Sequence, residues 1–432
     1  MTVMIKAVNP AGGRQDTIAI LVGGGPAPGI NGVIAAATIE AIEQGKRVLG
    51  IYDGFKWLAR NDVGHVKDLT IEDVSRIHFE GGSILRTARE NPTKDPQKMA
   101  NVLSALKELR VDCLVTIGGD DTAFSASQVA KNANGAIRVV HVPKTIDNDL
   151  PLPSLTPTFG YETARSVGAE IIRNLMEDAR TTGRWYFVVA MGRHAGHLAL
   201  GMSKAAGATV CIIPEEFKQP KVTLAEICDV LEGAIIKRRA ADRPHGVAVM
   251  AEGLGSKLTD EDLAELGRKH LASVDRDEHG HMRLSEVNLG KAVRDEVERR
   301  FAARKIKLTI VEKMIGYEVR CAAPLAFDCE YTRDLGYAAI RFLAGGGSAA
   351  MVSIQGGKMV PMFFKDIMDE SGRTRVRMVD TTTESYQVAR EYMTRLGPED
   401  FRNEQWVARL AESGGYAPEE FLKKFGCFAQ AS

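Results

Sequence analysis

The sequence has no excess of charge of either sign. Among its 432 residues, Lys plus Arg and Asp plus Glu each number 56, so the formal net charge is zero. Proteins that attract nucleic acid or an anionic membrane through their overall field carry an excess of basic residues. We therefore expect neither nucleic acid nor a membrane among the partners of this protein.

Several other signatures are missing. The six cysteines form no C-x-x-C pair, which indicates reduced thiols in a cytoplasmic protein. The N-terminal stretch MTVMIKAVNPAGGRQD has no apolar core of a signal peptide, and no stretch reaches the ~18 uninterrupted apolar residues of a membrane helix. We see no internal repeat and no low-complexity linker. The sequence thus predicts a cytoplasmic protein without a membrane segment.

The sequence does contain a series of short apolar runs that end in glycine or proline. Stretches with helical periodicity, such as NGVIAAATIEAIEQG, lie between the runs, and this alternation is typical of parallel sheets covered on both faces. With 44% hydrophobic residues, the chain is long enough for two such domains. The runs comprise residues 17–25, 47–54, 113–121, 138–145, 185–192, 246–253 and 349–357.

This pattern predicts the fold class and the place of the site. We expect an α/β protein with two Rossmann-like three-layer domains, mostly parallel sheets and an active site in the cleft between them. Ligands of such sheets bind beyond the carboxyl ends of the strands, so the residues that follow each apolar run are the candidates. After about residue 375 the sequence becomes polar and helical, which predicts a C-terminal helical extension over 376–432.

The first candidate stretch is GGGPAPGIN, residues 23–31, which opens a predicted helix. Glycines let the backbone approach a phosphate, and a helix N-terminus favours negative charge. The stretch matches neither G-x-G-x-x-G with an acidic residue at the right distance nor G-x-x-x-x-G-K-[ST], which excludes the usual dinucleotide and P-loop signatures. Taken alone, it is equally compatible with a plain tight turn.

Two further runs end in carboxylates. The run before TIGGDDTAFSA leads to Asp120 and Asp121, where a glycine turn would ordinarily offer only backbone N–H groups. PKTIDND, residues 143–149, places Asp147 and Asp149 just after another run. Two carboxylates separated by one residue can divide the work between a general base and a group that holds metal or tunes its neighbour's pKa. An Asx-turn with solvent-facing aspartates is the alternative.

The remaining stretches supply cations and a third kind of acceptor. Lys144 begins the turn after its run, and Gly192 lets the chain turn so that Arg193 faces the same rim. Glu252 ends the run GVAVMAEG and could accept hydrogen bonds from sugar hydroxyls. Carboxylates for Mg²⁺, a carboxylate base, cations for phosphate and glycine turns together are the components of a phosphoryl-transfer site.

These stretches resemble the phosphofructokinase family. GGGPAPGIN, GGSILRTARE, IGGDDT, PKTIDND, MGRHAGHLAL, AEG and MIGYEVRCAAP follow its order and approximate spacing over about residues 17–360. GGDD and PKTIDND are similar to the pyrophosphate-dependent branch, because common ATP-dependent bacterial members carry glycine at the positions of Asp121 and Lys144. The segment after Arg320 reads CAAP where the family is usually glycine-rich, and Tyr317 stands where many ATP enzymes have histidine.

The resemblance implies a role for each matched residue. It makes Asp147 the base that takes the proton from the sugar 1-hydroxyl, with Lys144 and Arg193 as the other catalytic residues, and it makes Asp120 the ligand of the cofactor Mg²⁺. The implied donor-binding residues are Gly25, Arg89, Gly119, Asp121 and Lys144. The implied substrate-binding residues are Thr145, Asp149, Arg184, Met191, Gly192, Arg193, Glu252, Tyr317 and Arg320, the last two at the 6-phosphate.

The resemblance also implies an assembly and a domain division. Arg184 matches an arginine that reaches the phosphate of a neighbouring subunit, so a homodimer or homotetramer is expected, with Lys313 a candidate for the second cross-subunit cation. The expected donor-binding domain comprises 1–158 plus about 319–375, and the expected fructose-phosphate-binding domain comprises 159–318.

The implied reaction transfers phosphate from pyrophosphate to O1 of fructose 6-phosphate. It gives fructose 1,6-bisphosphate and phosphate, reversibly, in glycolysis or gluconeogenesis. Two alternatives stay open on the residues alone. One is an ATP-dependent 6-phosphofructokinase of the same fold, from which Asp121 distinguishes this sequence. The other is a non-catalytic sugar-phosphate-binding regulatory subunit, against which the retained base and cations argue.

Overall fold

The computed structural model describes residues 15–153, 156–270, 288–370 and 372–429. Most of the N-terminal stretch in which the sequence shows no signal-peptide core lies outside these ranges. The chain forms two compact units. Unit 1 combines the chain up to Ala164 with Tyr317–Arg377, and unit 2 combines the described residues from Arg165 to Gly316 with the chain from Met378 onward.

Unit 1 contains a seven-stranded sheet in the order β11-β10-β5-β4-β1-β2-β3. The five inner strands pair in parallel, and the two edge strands, β3 and β11, pair antiparallel. Numbered along the chain, the strands are β1 Thr17–Val22, β2 Arg47–Ile51, β3 Val66–Asp68, β4 Cys113–Gly118, β5 Arg138–Pro143, β10 Ala350–Gln355 and β11 Lys358–Phe363.

Helices cover both faces of this sheet. Ile20 and Leu21 are consecutive in β1 and fully buried, but they belong to different hydrophobic cores because side chains alternate across a strand. Unit 1 is therefore a three-layer structure. Its helices are α1 Ile30–Glu43, α2 Ile71–Val74, α3 Pro96–Glu108, α4 Asp120–Asn132, α11 Tyr317–Arg320, α12 Ala326–Ala344 and α13 Phe364–Ile367.

Unit 2 contains a four-stranded parallel sheet in the order β7-β8-β6-β9. Its strands are β6 Trp185–Ala190, β7 Val210–Ile212, β8 Gly246–Ala251 and β9 Ile310–Ile315. Its helices are α5 Tyr161–Thr182 (most of it), α6 His197–Ala206, α7 Leu224–Ala240, α8 Leu254–Lys257, α9 Asp260–His270, α10 Leu289–Ala303, α14 Glu384–Glu391, α15 Glu404–Gly414 and α16 Pro418–Phe425. Leu410, Phe421 and Phe425 from the C-terminal helices are buried in the core of this unit.

The α/β class with mostly parallel sheets is confirmed. Each of the seven apolar runs contains a strand, and all seven of these strands lie in parallel pairs. Four of the described strands lie outside the predicted apolar runs. Of these, β3 and β7 are only three residues long, and β9 and β11 lie at sheet edges. An edge strand such as β9, with its Glu312 and Lys313, does not form a continuous apolar run.

Within the described ranges, no helix combines the length and the hydrophobicity needed to cross a bilayer. All six cysteines lie in those ranges and are free thiols. Cys113, Cys211 and Cys228 are buried, where burial raises the pKa of each thiol above its usual value.

Candidate active site

Three neighbouring strands of unit 1 end in the loops that carry the predicted donor residues. β1 lies beside β4, with Val22 paired to Ile117, and β4 lies beside β5, with Gly118 paired to Pro143. Because the three strands are parallel, the loops after them meet at one edge of the sheet. Gly25 and Lys144 therefore lie close to the start of α4, where Asp120 and Asp121 form the first helical residues.

The glycines before Asp120 have a packing reason. A Cβ atom on Gly23 would lie 2.5 Å from Oγ1 of Thr122, and one on Gly118 would lie 2.3 Å from Cβ of Thr122. Both distances are shorter than real Cβ atoms show. The first turn of α4 can therefore approach the ends of β1 and β4 only where glycine stands. This contact places both aspartates at the helix N-terminus, where the helix dipole stabilises their charges.

His141, which lies on β5, fixes the geometry between β4 and β5. Its Nε2 donates to the carbonyl of Gly118 at 3.0 Å, and its Nδ1 accepts from the hydroxyl of Thr116 at 2.8 Å. The ring is fully buried, and this burial lowers its pKa to about 3. His141 is therefore a neutral structural residue. It orients the Gly118 carbonyl, which also accepts from the Lys144 amide at 2.8 Å.

Lys144 lies inside the structure with its ammonium at the glycine turn after β1. The residue is 4% exposed, and its Nζ donates to the carbonyl of Gly25. Burial, and next the charge of Arg320, lower the pKa of Lys144 to about 7, against the opposing attraction of Asp147 and Asp120. An anion bound at this turn would favour the charged form of the amine.

The residues just before Arg89 contact the same turn. The amide of Gly24 donates to the carbonyl of Ala88 at 3.0 Å, and the hydroxyl of Thr87 donates to the carbonyl of Gly24 at 2.6 Å. The side chain of Arg89 is exposed, and its charge also contributes to the lowered pKa of Lys144. The loop after β1 is thus surrounded by cations.

The loop after β5 brings together two of the predicted carboxylates. The amide of Asp147 donates to Oγ1 of Thr145 at 3.0 Å. Asp149 is buried, and burial together with the negative charges of Asp147 and Asp120 raises the pKa of its carboxyl; a hydrogen bond with Thr145 opposes this rise. Asp120, Asp147 and Asp149 are therefore electrostatically coupled, and a bound cation would relieve their repulsion.

This carboxylate set fits Mg²⁺ better than it fits a fully protein-bound metal. Among the described residues, no group of three or more His, Cys, Asp or Glu side chains is placed to hold a metal ion. Mg²⁺ is ordinarily held by one or two carboxylates together with substrate phosphates. Asp120, whose charge acts on both Lys144 and Asp149, meets that requirement beside the glycine turn.

Arg320 and Tyr317, which the resemblance assigns to the 6-phosphate, lie together on α11. The guanidinium of Arg320 lies 5.2 Å from the centre of the Tyr317 ring, and Tyr317 is exposed. A Cβ atom on Gly25 would lie 3.4 Å from Cζ of Arg320. Arg320 is therefore grouped with Gly25 and Lys144 in this structure.

Unit 2 assembles a second group of predicted residues at the carboxyl edge of its sheet. Met191–Arg193 follow β6, and Glu252 follows the adjacent β8. The amide of Gly192 donates to the buried carboxylate of Glu252 at 3.3 Å. Gly192 has a φ of 145°, which favours glycine. Arg193 is partly exposed beside them.

Arg184 and Lys313 do not join that group. Arg184 precedes β6, so the six-residue strand separates it from Met191 by about 20 Å at the usual rise per residue. Lys313 lies within β9, paired with Val188 of β6. Arg184 therefore lies at the amino edge of this sheet, opposite the edge that carries Met191–Arg193 and Glu252.

A profile of the phosphofructokinase family, described as "PFK: Phosphofructokinase", matches residues 17–343. The chain belongs to the phosphofructokinase family. The match includes the strands β1 to β9 and every site residue named above.

Two relatives within this family are similar over almost the whole chain. A Thermotoga maritima protein named "Pyrophosphate--fructose 6-phosphate 1-phosphotransferase" is 54% identical over 414 residues, which is 95% of this chain and 98% of that protein. A Naegleria fowleri protein of the same name is 52% identical over 422 residues, 96% of each chain. Among solved structures, the pyrophosphate-dependent phosphofructokinase from Marinobacter aquaeolei is similar to this chain with a TM-score of 0.66 and 16% sequence identity. The similarity covers 88% of this chain and 90% of that one, and it supports the fold.

Sequence reasoning missed several residues that shape this phosphofructokinase site. Thr122 is the residue whose side chain leaves no room for a Cβ atom at Gly23 or Gly118. It directly follows the aspartate pair and is the last residue of the motif IGGDDT. His141 lies inside an apolar run, where a lone polar residue between valines could have indicated a structural hydrogen bond. Thr374, whose hydroxyl donates to the carbonyl of Asp120 at 3.2 Å, and Arg377 come from a segment that carries no family motif.

The coupling of the carboxylates predicts a stability gain for Asp149→Asn. Because the folded-state pKa of Asp149 is raised, the folded protein loses stability as the pH rises through that pKa. The neutral amide avoids this cost, so the free energy of unfolding should rise by about 1–2 kcal/mol at alkaline pH, and the gain should shrink as the pH falls towards the ordinary pKa of a carboxyl group. Urea unfolding of both proteins across this range measures the effect. A variant that is less stable than wild type at alkaline pH would contradict the coupling.

Proposed function

We propose that this chain transfers a phosphoryl group from pyrophosphate to O1 of fructose 6-phosphate. The products are fructose 1,6-bisphosphate and phosphate, and the reaction is reversible. The observation that carries the proposal is the position of Lys144, with its ammonium at the Gly25 turn and Asp121 on the first turn of α4. The names of the two relatives that exceed 50% identity support the same donor.

The donor would bind at the loops after β1 and β4. Gly25 and Gly119 let backbone approach the phosphates, while Arg89 and Lys144 supply positive charge. Arrival of pyrophosphate favours the protonated form of Lys144, which then stabilises the charge that develops on the phosphoryl group in flight. Asp121 adds negative charge and bulk where a nucleotide would place its additional phosphate.

Asp120 would hold Mg²⁺ together with oxygens of pyrophosphate, and the ion would supply charge neutralisation to the donor. The family resemblance implies this assignment, and the charge of Asp120, which acts on both Lys144 and Asp149, supports it.

The acceptor chemistry would depend on Asp147. Its carboxylate takes the proton of the sugar 1-hydroxyl, O1 forms a bond to the near phosphorus of pyrophosphate, and the bridging P–O bond breaks to release phosphate. Thr145 orients the backbone of Asp147, and Asp149 lies in the same loop beside the base. Arg193 would stabilise the transferred phosphoryl group.

The remaining predicted residues would bind the sugar phosphate. Met191, Gly192 and Glu252 would contact the sugar, and Glu252 already accepts a backbone hydrogen bond from this group. Tyr317 and Arg320 would bind the 6-phosphate, as the resemblance implies. In that role the Arg320 side chain, now beside Gly25, would turn towards the sugar.

The proposed reaction has a distinctive stoichiometry that phosphorus NMR can follow. With fructose 6-phosphate, pyrophosphate and Mg²⁺, we expect one fructose 1,6-bisphosphate and one phosphate for each pyrophosphate consumed. The reverse mixture of bisphosphate and phosphate should regenerate pyrophosphate. Hydrolysis of pyrophosphate without sugar phosphorylation would overturn the proposed function, and product formation only with ATP would favour the ATP-dependent alternative.

We also propose that the protein is a homodimer or homotetramer in which Arg184 completes the site of a neighbouring copy. Inactive Arg184→Ala mixed with inactive Asp147→Ala should regain part of the wild-type activity, because some hybrid sites contain neither substitution. Subunit exchange can be verified by mass spectrometry of the mixture. Exchange without recovery of activity would count against a shared site.

A further inference from the structure

Arg377 holds the loop that carries Asp147 and Asp149. It is the last residue of unit 1, and its backbone amide donates to the carbonyl of Asp149 at 2.7 Å. Its guanidinium donates to the Asn148 carbonyl from Nε at 3.1 Å and from Nη2 at 2.9 Å, and Nη2 also donates to Oδ1 of Asn148. Nη1 donates to three more carbonyls, those of Leu152, Pro153 and Thr156, at 3.2, 3.2 and 2.9 Å.

Arg377 binds the backbone at a turn. Asn148, between the two aspartates, has a φ of 56°, in the left-handed region that asparagine adopts more readily than most other residues with a side chain. Oδ1 of Asn148 also accepts from the amide of Thr158 at 3.0 Å. Asn148 is thus held from two sides. Without these bonds, the turn that sets the direction of both carboxylates would be free to relax.

The choice of arginine suits this task. A guanidinium offers five N–H donors in a rigid plane, whereas a lysine ammonium is a single point of charge. Here the N–H groups of the guanidinium donate to backbone carbonyls at both ends of the loop, at Asn148 and at Thr156. The side chain is partly buried, and burial lowers the pKa of Arg377 while the charge of Asp149 opposes this. Arg377 therefore brings positive charge as well as geometry to the carboxylate group.

We propose that Arg377 is a positioning residue that sets the direction of Asp147 for proton transfer. This inference rests on the proposed function, in which Asp147 is the base. Arg377 lies beyond the 17–343 match to the family profile, so the segment after β11 supplies a contact that the family motifs do not contain. Nothing in the resemblance assigns a role to this residue.

The test compares Arg377→Met and Arg377→Lys with the control Arg375→Met. Arg375 lies two residues earlier and donates to the carbonyl of Asp366, away from the loop. We expect Arg377→Met to lower kcat about 10²-fold with both KM values changed less than about threefold, because a misdirected base slows chemistry more than binding. Arg377→Lys should recover only a small part of the loss, and Arg375→Met should stay within about twofold of wild type.

Stability and activity must be measured together. Urea unfolding shows the range in which each variant is folded, and kcat is compared there. If Arg377→Met does not fold, Arg377→Lys, which keeps the charge and the stem, carries the test alone. Wild-type kcat in the folded variants overturns the proposal, and full recovery by lysine shows that charge rather than positioning is involved. If the wild-type protein makes no fructose 1,6-bisphosphate from pyrophosphate, the proposed function fails. If the wild type is active and Asp147→Ala keeps its turnover, the assignment of the base fails. If Asp147→Ala is impaired and only the Arg377 variants keep wild-type turnover, this inference fails alone.

Discussion

We expect Asp147→Ala to lower kcat by about 10²–10⁴-fold while the KM values for fructose 6-phosphate and pyrophosphate change much less. A general base contributes mainly when the proton moves, so its loss raises the barrier to chemistry and leaves most binding contacts in place. The loop itself should survive the change. The Asp147 contact with Thr145 comes from its backbone amide, and alanine retains that group.

The measurement is steady-state kinetics of the purified variant in the forward direction, with folding checked by urea unfolding. Asp68→Ala is a matched control, because Asp68 lies on the edge strand β3, is exposed, and forms an ion pair with Arg47 at the surface. Surface pairs of this kind contribute little, so kcat of the control should stay within about twofold of wild type. Wild-type turnover in Asp147→Ala would remove the proposed base.

We expect Asp121→Gly to admit ATP as a donor. A carboxylate about 4 Å from an incoming phosphate charge opposes it by about 1–4 kcal/mol at effective dielectrics of 80 to 20, and its bulk adds a steric term. Removing the carboxylate removes both terms. The structural cost should be small, because Asp121 is partly exposed on the first turn of α4 and glycine is tolerated near a helix N-terminus.

Lys144→Gly should act differently. It removes a buried cation at the Gly25 turn, so pyrophosphate turnover should fall by about 10²–10³-fold, and ATP should gain no room. In the double variant the two effects should be non-additive, because both residues would touch the same donor. Steady-state assays of the three variants with each donor provide the data. An unchanged donor ratio in Asp121→Gly would show that the paired aspartates have another purpose.

The parallel strands could be predicted because buried parallel strands are apolar on both faces. The strands β4 and β5, which end at Gly118 and Pro143, are examples, and their register places the aspartates and Lys144 at one edge of the sheet. β9 and β11 could not be predicted in the same way. Glu312 and Lys313 interrupt the apolar pattern of β9, and β11 contains Pro361, a residue that argues against a regular strand.

The site shows a similar division. Residue types that act through side-chain charge, such as Lys144 and Asp147, are visible in the sequence. The hydrogen-bond partner of Lys144 cannot be read from the sequence. This partner is the backbone carbonyl of Gly25, and every residue has a backbone carbonyl. The same reason hides Arg377, whose acceptors are mostly backbone oxygens of the loop. The proximity of Arg320 to Gly25 depends on a side-chain conformation that no motif encodes.

The choice of donor is the central claim, and the wild-type protein tests it most directly. The measurement is kcat/KM for pyrophosphate and for ATP with fructose 6-phosphate and Mg²⁺ saturating, followed by coupled detection of fructose 1,6-bisphosphate. We predict a preference for pyrophosphate of at least about 10²-fold, as expected when an unfavourable charge and lost space oppose the nucleotide. Equal use of the two donors, or a preference for ATP, would contradict the account.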